Sequence, residues 1–521
     1  MIATAHSMAL SGLEAYVVRV EVDASHSIPS FELVGLAEAT VRESRVRVRS
    51  ALACIGVDLS EVRVVVNLAP ADLRKSGAGF DLAIAAAVLG ALGLVDAGLL
   101  ARAVLVGELA LDGDVRPVRG ILPALAGLEV GAFDRAVVPR TNGAEAALAG
   151  TVRVAAIGHL REVVEALRGA LAEPESDQEP SSPLEPFDDF ADVRGQHTAR
   201  RALEIAAAGG HNVLFVGPPG AGKTMLARRL PSILPPLERA EALQITAIHS
   251  VAGLLRPHAG LVRARPFRAP HHTASEVAIV GGSEPLRPGE LTLAHHGVLF
   301  LDELPEFRRP ALEALRQPME DGVVAVARAS GRAVFPARPM VVAAMNPCPC
   351  GHLGDGTERC RCSPERVRAY RARVSGPIID RLDLHVALPP VRLHELRERA
   401  HGEPSRAIRE RVAAARSRQQ RRREAGAVVA PCNAHLSPRE VEGVVRLDRE
   451  AAADAERFAS RHGLSARGFG KVLRVARTIA DLAGDADVAM PHVLEAISFR
   501  VFDRRSGVDG IGTARDDAAR P

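Results

Sequence analysis

Residues Gly217-Pro-Pro-Gly-Ala-Gly-Lys223-Thr224 follow a short apolar run, Asn212-Val-Leu-Phe-Val216, and precede Met225-Leu-Ala-Arg-Arg-Leu230. The first run predicts a buried strand and the last predicts the opening turns of a helix. Strand, glycine loop and helix in that order leave few folds open. The glycines let backbone N–H groups turn inward, and the helix N-terminus adds partial positive charge. The stretch therefore predicts a phosphate cradle on an α/β sheet. Its contacts would come from Gly217, Pro218, Pro219, Gly220, Ala221, Gly222, Lys223 and Thr224. Lys223 would reach the β- and γ-phosphates of ATP, and the Thr224 hydroxyl would hold Mg2+. Of 66 basic residues only Lys75, Lys223 and Lys471 are lysine. A lysine kept in the loop of so arginine-rich a chain points to a need for a compact ammonium.

Gly297-Val-Leu-Phe-Leu-Asp302-Glu303 is a second apolar run, ending in two carboxylates. Asp302 would complete the Mg2+ shell and Glu303 would polarise the attacking water. Alone, the run reads equally well as a buried strand that ends at an acidic turn. Downstream of a phosphate loop it predicts ATP hydrolysis.

At 521 residues the chain is long enough for about three to four domains. A net charge of +3 is too small to bind nucleic acid through a global field. The first twenty residues lack the basic start and apolar core of a secretory signal. The longest uncharged apolar run, Leu82 to Val95, is too short for a bilayer and predicts a buried helix. No membrane partner and a cytoplasmic location are expected. Six cysteines in such a length do not suggest a disulfide framework.

Residues 1–168 alternate β-like runs, such as Tyr16–Val22, Val62–Val66 and Ala103–Gly107, with Ala-rich helical stretches. Residues 169–187 are acidic and rich in Pro and Ser, which reads as a linker. Residues 188–390 hold the nucleotide motifs with the spacing of a parallel sheet. Residues 391–506 read as helices, with a basic face running from Arg406 to Arg423. Residues 507–521 read as a disordered tail.

Further motifs surround the site. They are Arg265-Pro-Phe-Arg-Ala-Pro-His-His272, Arg287-Pro-Gly-Glu-Leu-Thr-Leu-Ala-His-His-Gly297, Phe300-Leu-Asp-Glu-Leu-Pro-Glu-Phe307, Ala344-Met-Asn-Pro-Cys-Pro-Cys-Gly351, Ser375-Gly-Pro-Ile-Ile-Asp-Arg381-Leu-Asp-Leu-His385 and Leu464-Ser-Ala-Arg467. On these the chain resembles the magnesium-chelatase-like AAA+ ATPases of the YifB/ComM type, over nearly its whole length. The resemblance implies a central AAA+ parallel-sheet domain of MCM and magnesium-chelatase type, followed by a helical lid. It implies a hexameric, ATP-dependent DNA helicase of branch migration that helps integrate transforming DNA. A metal-insertion chaperone of the magnesium-chelatase kind is the alternative, and an ATP-dependent protease is a third.

The resemblance also assigns residues. Asn346, after the apolar run Met340–Met345, takes the sensor-1 position, where its amide would meet the γ-phosphate and the water. Arg381 takes the position of an arginine finger, acting on the ATP of a neighbouring subunit. Without that position, an Arg between two Asp residues reads as a surface ion pair. Arg467 takes the sensor-2 position on the lid. Gly468-Phe-Gly-Lys471 departs from the basic, helix-favouring stretch usual there, which leaves Arg474 as a second candidate.

Gly322 to Pro336 alternates apolar and polar residues and turns at Ser330-Gly331, which reads as a β-hairpin. In MCM-like ATPases a hairpin before sensor 1 projects into the central pore. Arg328 and Arg332 flank the tip and would track DNA phosphates, or they are ordinary surface arginines. Cys348-x-Cys350 and Cys360-x-Cys362 face each other across a loop containing Gly351, Gly354 and Gly356. They predict a structural zinc site held by all four thiolates, with reduced or redox-labile cysteines as the alternative. Neither Cys54 nor Cys432 has a partner nearby.

The N-terminal part resembles the proteolytic domain of Lon, with a ribosomal-S5-like α+β fold. The matching stretches are Arg74-Lys-Ser-Gly77-Ala-Gly-Phe80, Val106-Gly-Glu-Leu-Ala-Leu-Asp-Gly-Asp-Val115 and Val118-Arg-Gly-Ile-Leu-Pro123. Lon proteases use a Ser–Lys dyad. Gly77 stands where the Ser would be, and Leu122 and Ala124 stand near the place of the Lys. The resemblance implies a non-proteolytic scaffold.

Overall fold

The computed structural model describes residues 1–521 except 36–38, 72–74, 76, 78, 175–186, 284–285, 329–330, 391–401, 448, 462 and 501–521. Most of the expected linker, the first part of the expected lid and the whole expected tail lie outside the described residues.

The N-terminal part is a mixed sheet of seven strands: β1 Ile2–Ser11, β2 Glu14–His26, β3 Ser30–Val34, β4 Val62–Ala69, β5 Ala103–Leu105, β8 Arg135–Pro139 and β9 Arg153–Ile157. Two short strands, β6 Glu108–Leu109 and β7 Val115–Arg116, form a separate ribbon. The sheet order is β3-β4-β2-β1-β5-β8-β9. The helix Asp81–Ala91 is buried along its whole length, as its uncharged Ala/Leu/Ile run requires.

The central sheet has five strands: β10 Val213–Val216, β11 Phe267–Arg268, β12 Val298–Leu301, β15 Met340–Met345 and β16 Leu384–Ala387. All its pairings are parallel, in the order β11-β12-β15-β10-β16. Both faces are covered, which is why the strands read as continuous apolar runs. Val213, Phe215, Val342 and Ala344 pack in one core with the lid helices. Leu214, Val216, Val341 and Ala343 pack in the other, with Leu304, Leu312 and Tyr370. Between β12 and β15 the chain forms a hairpin of β13 Val323–Arg328 and β14 Gly331–Pro336.

The described part of the lid is helical, with main helices Ser405–Glu424, Arg449–Arg461, Ala466–Ala483 and Met490–Ser498. The N-terminal part docks on the ATPase part. Gly120 N donates to Ser250 Oγ at 2.9 Å, His258 N donates to Thr141 O at 3.0 Å, and Ser250 also bonds Glu145. No helix among the described residues is long and apolar enough to cross a membrane.

Candidate functional site

Three neighbouring strands, β12, β15 and β10, carry the site on their carboxyl ends, where open α/β sheets bind ligands. After β10 the chain turns through Gly220 and Gly222, at φ of +80° and +86°, backbone that a side chain would strain. The helix Lys223–Ile233 starts at once. Lys223 Nζ donates to Gly217 O at 2.7 Å, Pro218 O at 3.0 Å and Asn346 Oδ1 at 3.0 Å. Burial lowers the Lys223 pKa, and the charges of Asp302 and Glu303 oppose that shift. Thr224 Oγ1 donates to Asp302 Oδ2 at 2.8 Å, so the two oxygens expected at Mg2+ are already side by side. The second Asp302 oxygen accepts the Glu303 N–H at 2.9 Å. Lys223, Thr224, Asp302, Glu303 and Asn346 line one cavity of about 440 Å3 with the loop itself.

Glu303 sits at φ +52°, a left-handed conformation that is costly for a residue with a side chain. It swings the carboxylate out of the strand toward the cavity edge, 3.2 Å from His272 Nδ1. The sequence gives the Pro-His-His272 run no evident role at the nucleotide site. The nearness of His272 to Glu303 becomes visible only when β11 and β12 pair.

Arg381 and Arg467 lie elsewhere. Arg381 donates to Arg316 O and Pro377 O and pairs with Glu320 at 2.8 Å. Arg467 reaches the same Glu320 oxygen at 2.6 Å. Both line a second cavity, of about 570 Å3, together with Lys471 and Arg474. None of these four lines the phosphate cavity of its own chain. Glu320, which bridges Arg381 and Arg467, has no sequence signal of its own.

The hairpin is formed as expected, although its turn residues 329–330 lie outside the described residues. Arg328 Nε donates back to Gly282 O at 3.0 Å, which draws its guanidinium onto the neighbouring loop. Arg332 is exposed, and its carbonyl accepts a bond from Ser11 Oγ at 2.9 Å. The basic face from Arg406 to Arg423 is largely spent internally. Arg409 bonds Ser232 O, Arg411 pairs with Glu204, Arg416 bonds Ala207 O, and Arg418 and Arg422 bond Asp481. Arg409, Arg411 and Arg416 fasten the helix Ser405–Glu424 to the ATPase core, while Arg418 and Arg422 tie it to the helix Ala466–Ala483.

The four clustered cysteines converge. Their sulfurs lie within 4.8 Å of one another, with separations of 3.3 Å for Cys348–Cys350, 3.8 Å for Cys348–Cys360 and 3.7 Å for Cys350–Cys360. Zn–S bonds of about 2.3 Å in a tetrahedron put sulfurs about 3.8 Å apart, so the donor set fits zinc. The His352 N–H draws the Cys350 thiol down to about 6, toward the thiolate a metal needs. A Cβ on Gly351 would lie 2.6 Å from Pro219 Cδ, so this loop abuts the phosphate loop. Cys432 does have a partner: its sulfur lies 2.9 Å from His435 Nδ1, three residues on along a 3-10 turn that sequence spacing alone does not reveal. Lys75 is buried, with Nζ on Pro70 O. Gly77 is at φ +85°, and Ser76 lies outside the described residues.

A sheet with this strand order and a phosphate loop, acid pair and sensor amide on its carboxyl edge defines a P-loop ATPase core. Comparison with known proteins narrows the class. Residues 189–396 match the family model of magnesium chelatase, subunit ChlI; residues 20–142 match that of subunit ChlI of Mg-chelatase; residues 402–500 match that of the ChlI C-terminal part. The chain is 42% identical over 510 residues to competence protein ComM of Haemophilus influenzae, covering 96% of this chain and 98% of that one. It is 42% identical over 511 residues to the uncharacterized protein YifB of Salmonella typhimurium, with the same coverage. A 143-residue stretch is 30% identical to Lon protease 2 of Bacillus subtilis, covering 25% of each chain. The chain belongs to the ComM/YifB family of magnesium-chelatase-like AAA+ ATPases, and that membership implies ATP and Mg2+.

Proposed function

We propose that the chain is an ATP-driven DNA motor that works as a homo-oligomeric ring, most simply a hexamer. One observation carries the ring in this reading: the residues expected to make up the ATPase machinery occupy separate cavities of one chain. The phosphate loop, Asp302, Glu303 and Asn346 share one, while Arg381 and Arg467 share another. Two chains side by side would bring one chain's cations to the other's phosphates. Within each cradle, Lys223 would bind the β- and γ-phosphates, and Thr224 and Asp302 would hold Mg2+. Mg2+ there would offset phosphate charge. Glu303 would take the proton of the attacking water while the Asn346 amide orients it. Arg381 would stabilise the charge that develops on the leaving phosphates.

The hairpin, with exposed Arg332 and the anchored Arg328, is the DNA contact in this reading. The N-terminal part serves as a Lon-like scaffold without a Ser–Lys dyad. Competence protein ComM carries a name from DNA uptake, and we infer that this chain acts on branched or single-stranded DNA during recombination. The test is ATP turnover with and without single-stranded and forked DNA, alongside particle mass with and without ATP. DNA-stimulated turnover by an ATP-dependent ring is the expected result. Turnover indifferent to DNA would favour the metal-insertion chaperone suggested by the magnesium-chelatase family models.

A further inference from the structure

We propose that Lys471 is a positioning residue for the arginine finger: through Asp383 and Asn212 it fixes the main chain that carries Arg381. The inference rests on the reading of Arg381 as a finger used on a neighbouring chain.

The connection is a run of direct bonds. Lys471 Nζ donates to Asp383 Oδ1 at 2.7 Å. The other Asp383 oxygen accepts the Asn212 N–H at 3.0 Å. The Asn212 side chain then donates to the carbonyl of Arg381 itself at 3.2 Å and accepts from Val341 N at 2.8 Å. The Asn212 carbonyl accepts the N–H groups of Asp383 and Leu384, at 2.8 and 3.0 Å. Every polar group of Asn212 is therefore engaged, and one of them holds the finger's backbone. Asn212 immediately precedes β10, and β10 runs directly into Gly217, where the phosphate loop begins. A four-residue strand thus joins a chain's own cradle to the finger it offers its neighbour.

The lid grips the finger twice. Arg467 and Lys471 are four residues apart on the helix Ala466–Ala483, so they share one face. Arg467 holds the Arg381 side chain through Glu320, and Lys471 holds its main chain through Asp383. The Lys471–Asp383 pair is a buried link between lid and core. Burial alone would raise the Asp383 pKa, but Lys471 and His211 overrule it and hold the carboxyl well below its ordinary range. A buried pair of this kind does little for net stability against an apolar replacement. Its use here is geometric. A lid that shifts with its own nucleotide would move Arg381 with it.

The test uses the full chain. Lys471→Met alone leaves a buried carboxylate unpaired and invites unfolding, so the double variant Lys471→Met, Asp383→Asn is made beside it. The expected result is a kcat about 10- to 100-fold lower, since a displacement near 1 Å at a reacting group costs that much. Binding of a fluorescent ATP analogue to the variant's own cradle should be unchanged. Mixed with Lys223→Ala chains, which keep a sound finger, the double variant should regain activity as far as Arg381→Ala chains do in the same mixture. Weakened nucleotide binding, or no recovery in mixtures where Arg381→Ala chains do recover, would overturn the positioning role and leave the finger reading intact. If Arg381→Ala chains also fail to recover in confirmed mixed rings, the finger does not act between chains, and this inference falls with it.

Discussion

At the scale of single residues, the three lysines of this arginine-rich chain sit in three comparable places. Lys75, Lys223 and Lys471 are each drawn into the interior, onto a carbonyl, a ring of oxygens and a carboxylate. A compact ammonium with three rotatable donors fits such spots, where a planar fork would need more room. Removing the cation from the cradle by Lys223→Ala should abolish tight ATP binding. Glu303→Gln should bind ATP normally and lower turnover about 10^2- to 10^4-fold, because only proton removal is lost. Analogue binding and steady-state hydrolysis separate the two, and wild-type turnover by Glu303→Gln would dismiss it as the base. The cysteine cluster makes an equally local claim. Protein purified without chelator should contain about one zinc per chain by elemental analysis. Cys350→Ser should lower metal content and melting temperature together, because binding energy is folding energy. It should also raise the ATP concentration needed for half-maximal turnover, since Gly351 rests on Pro219. Metal-free protein that is fully stable would refute a structural zinc.

At the scale of elements, a small motif holds the lid's short helix Pro438–Val444. Glu440 accepts the N–H groups of Val429, Ala430 and Ser437, at 2.6, 3.1 and 2.7 Å. Partial burial would raise its pKa, yet the Ser437 hydroxyl and these N–H groups bring it down to about 2. A depressed carboxylate stabilises the fold above its unfolded pKa of about 4.3, and that contribution is lost as pH falls from there toward about 2. Glu440→Gln should therefore cost about 1 kcal/mol near neutrality after allowance for solvent screening. It should also flatten the acid limb of the stability curve below about pH 5; an unchanged limb would show that the motif bears no load. The hairpin carries its own test. Arg328→Ala with Arg332→Ala should leave basal ATP turnover nearly intact and cut DNA stimulation. It should also reduce the log–log salt slope by about 0.7 to 0.9 for each phosphate that is no longer neutralised. Unchanged unwinding would mean that the hairpin does not touch DNA. The elements differ in how well the sequence reveals them. β10, β12 and β15 are legible because both of their faces are buried, which leaves continuous apolar runs ending at the loop, Glu303 and Asn346. The helix Ser405–Glu424 is legible as a helix and misleading as a surface. Charge alone does not tell a solvated guanidinium from one that caps a carbonyl, as Arg409 and Arg416 do.

At the scale of the whole molecule, the relation between parts is what sequence reading least anticipates. Glu320 meets Arg381 and Arg467 across 61 and 147 positions, and no local pattern encodes such a meeting. The docking of the N-terminal part is of the same kind. The β1–β2 turn touches the β13–β14 hairpin: Ser11 Oγ bonds Arg332 O, and a Cβ on Gly12 would lie 2.9 Å from Ala333 Cβ and 3.5 Å from the Phe335 ring. Gly12 is also at φ +66°, so a side chain there is disfavoured twice. The N-terminal part thus braces β14 from beside the hairpin tip while remaining far in sequence from the phosphate loop. Gly12→Val should push the turn off β14 and loosen the hairpin without reaching the phosphate cavity, whose lining it does not touch. Basal ATP turnover should stay within about twofold of wild type, as expected for a change with no shared partner at that site. DNA stimulation should fall toward the level of the Arg328, Arg332 double variant, and amide exchange over residues 331–336 should quicken as the brace is lost. Faster exchange with undiminished DNA stimulation would show that the brace is structural only, and unaltered exchange would show that the hairpin stands without it.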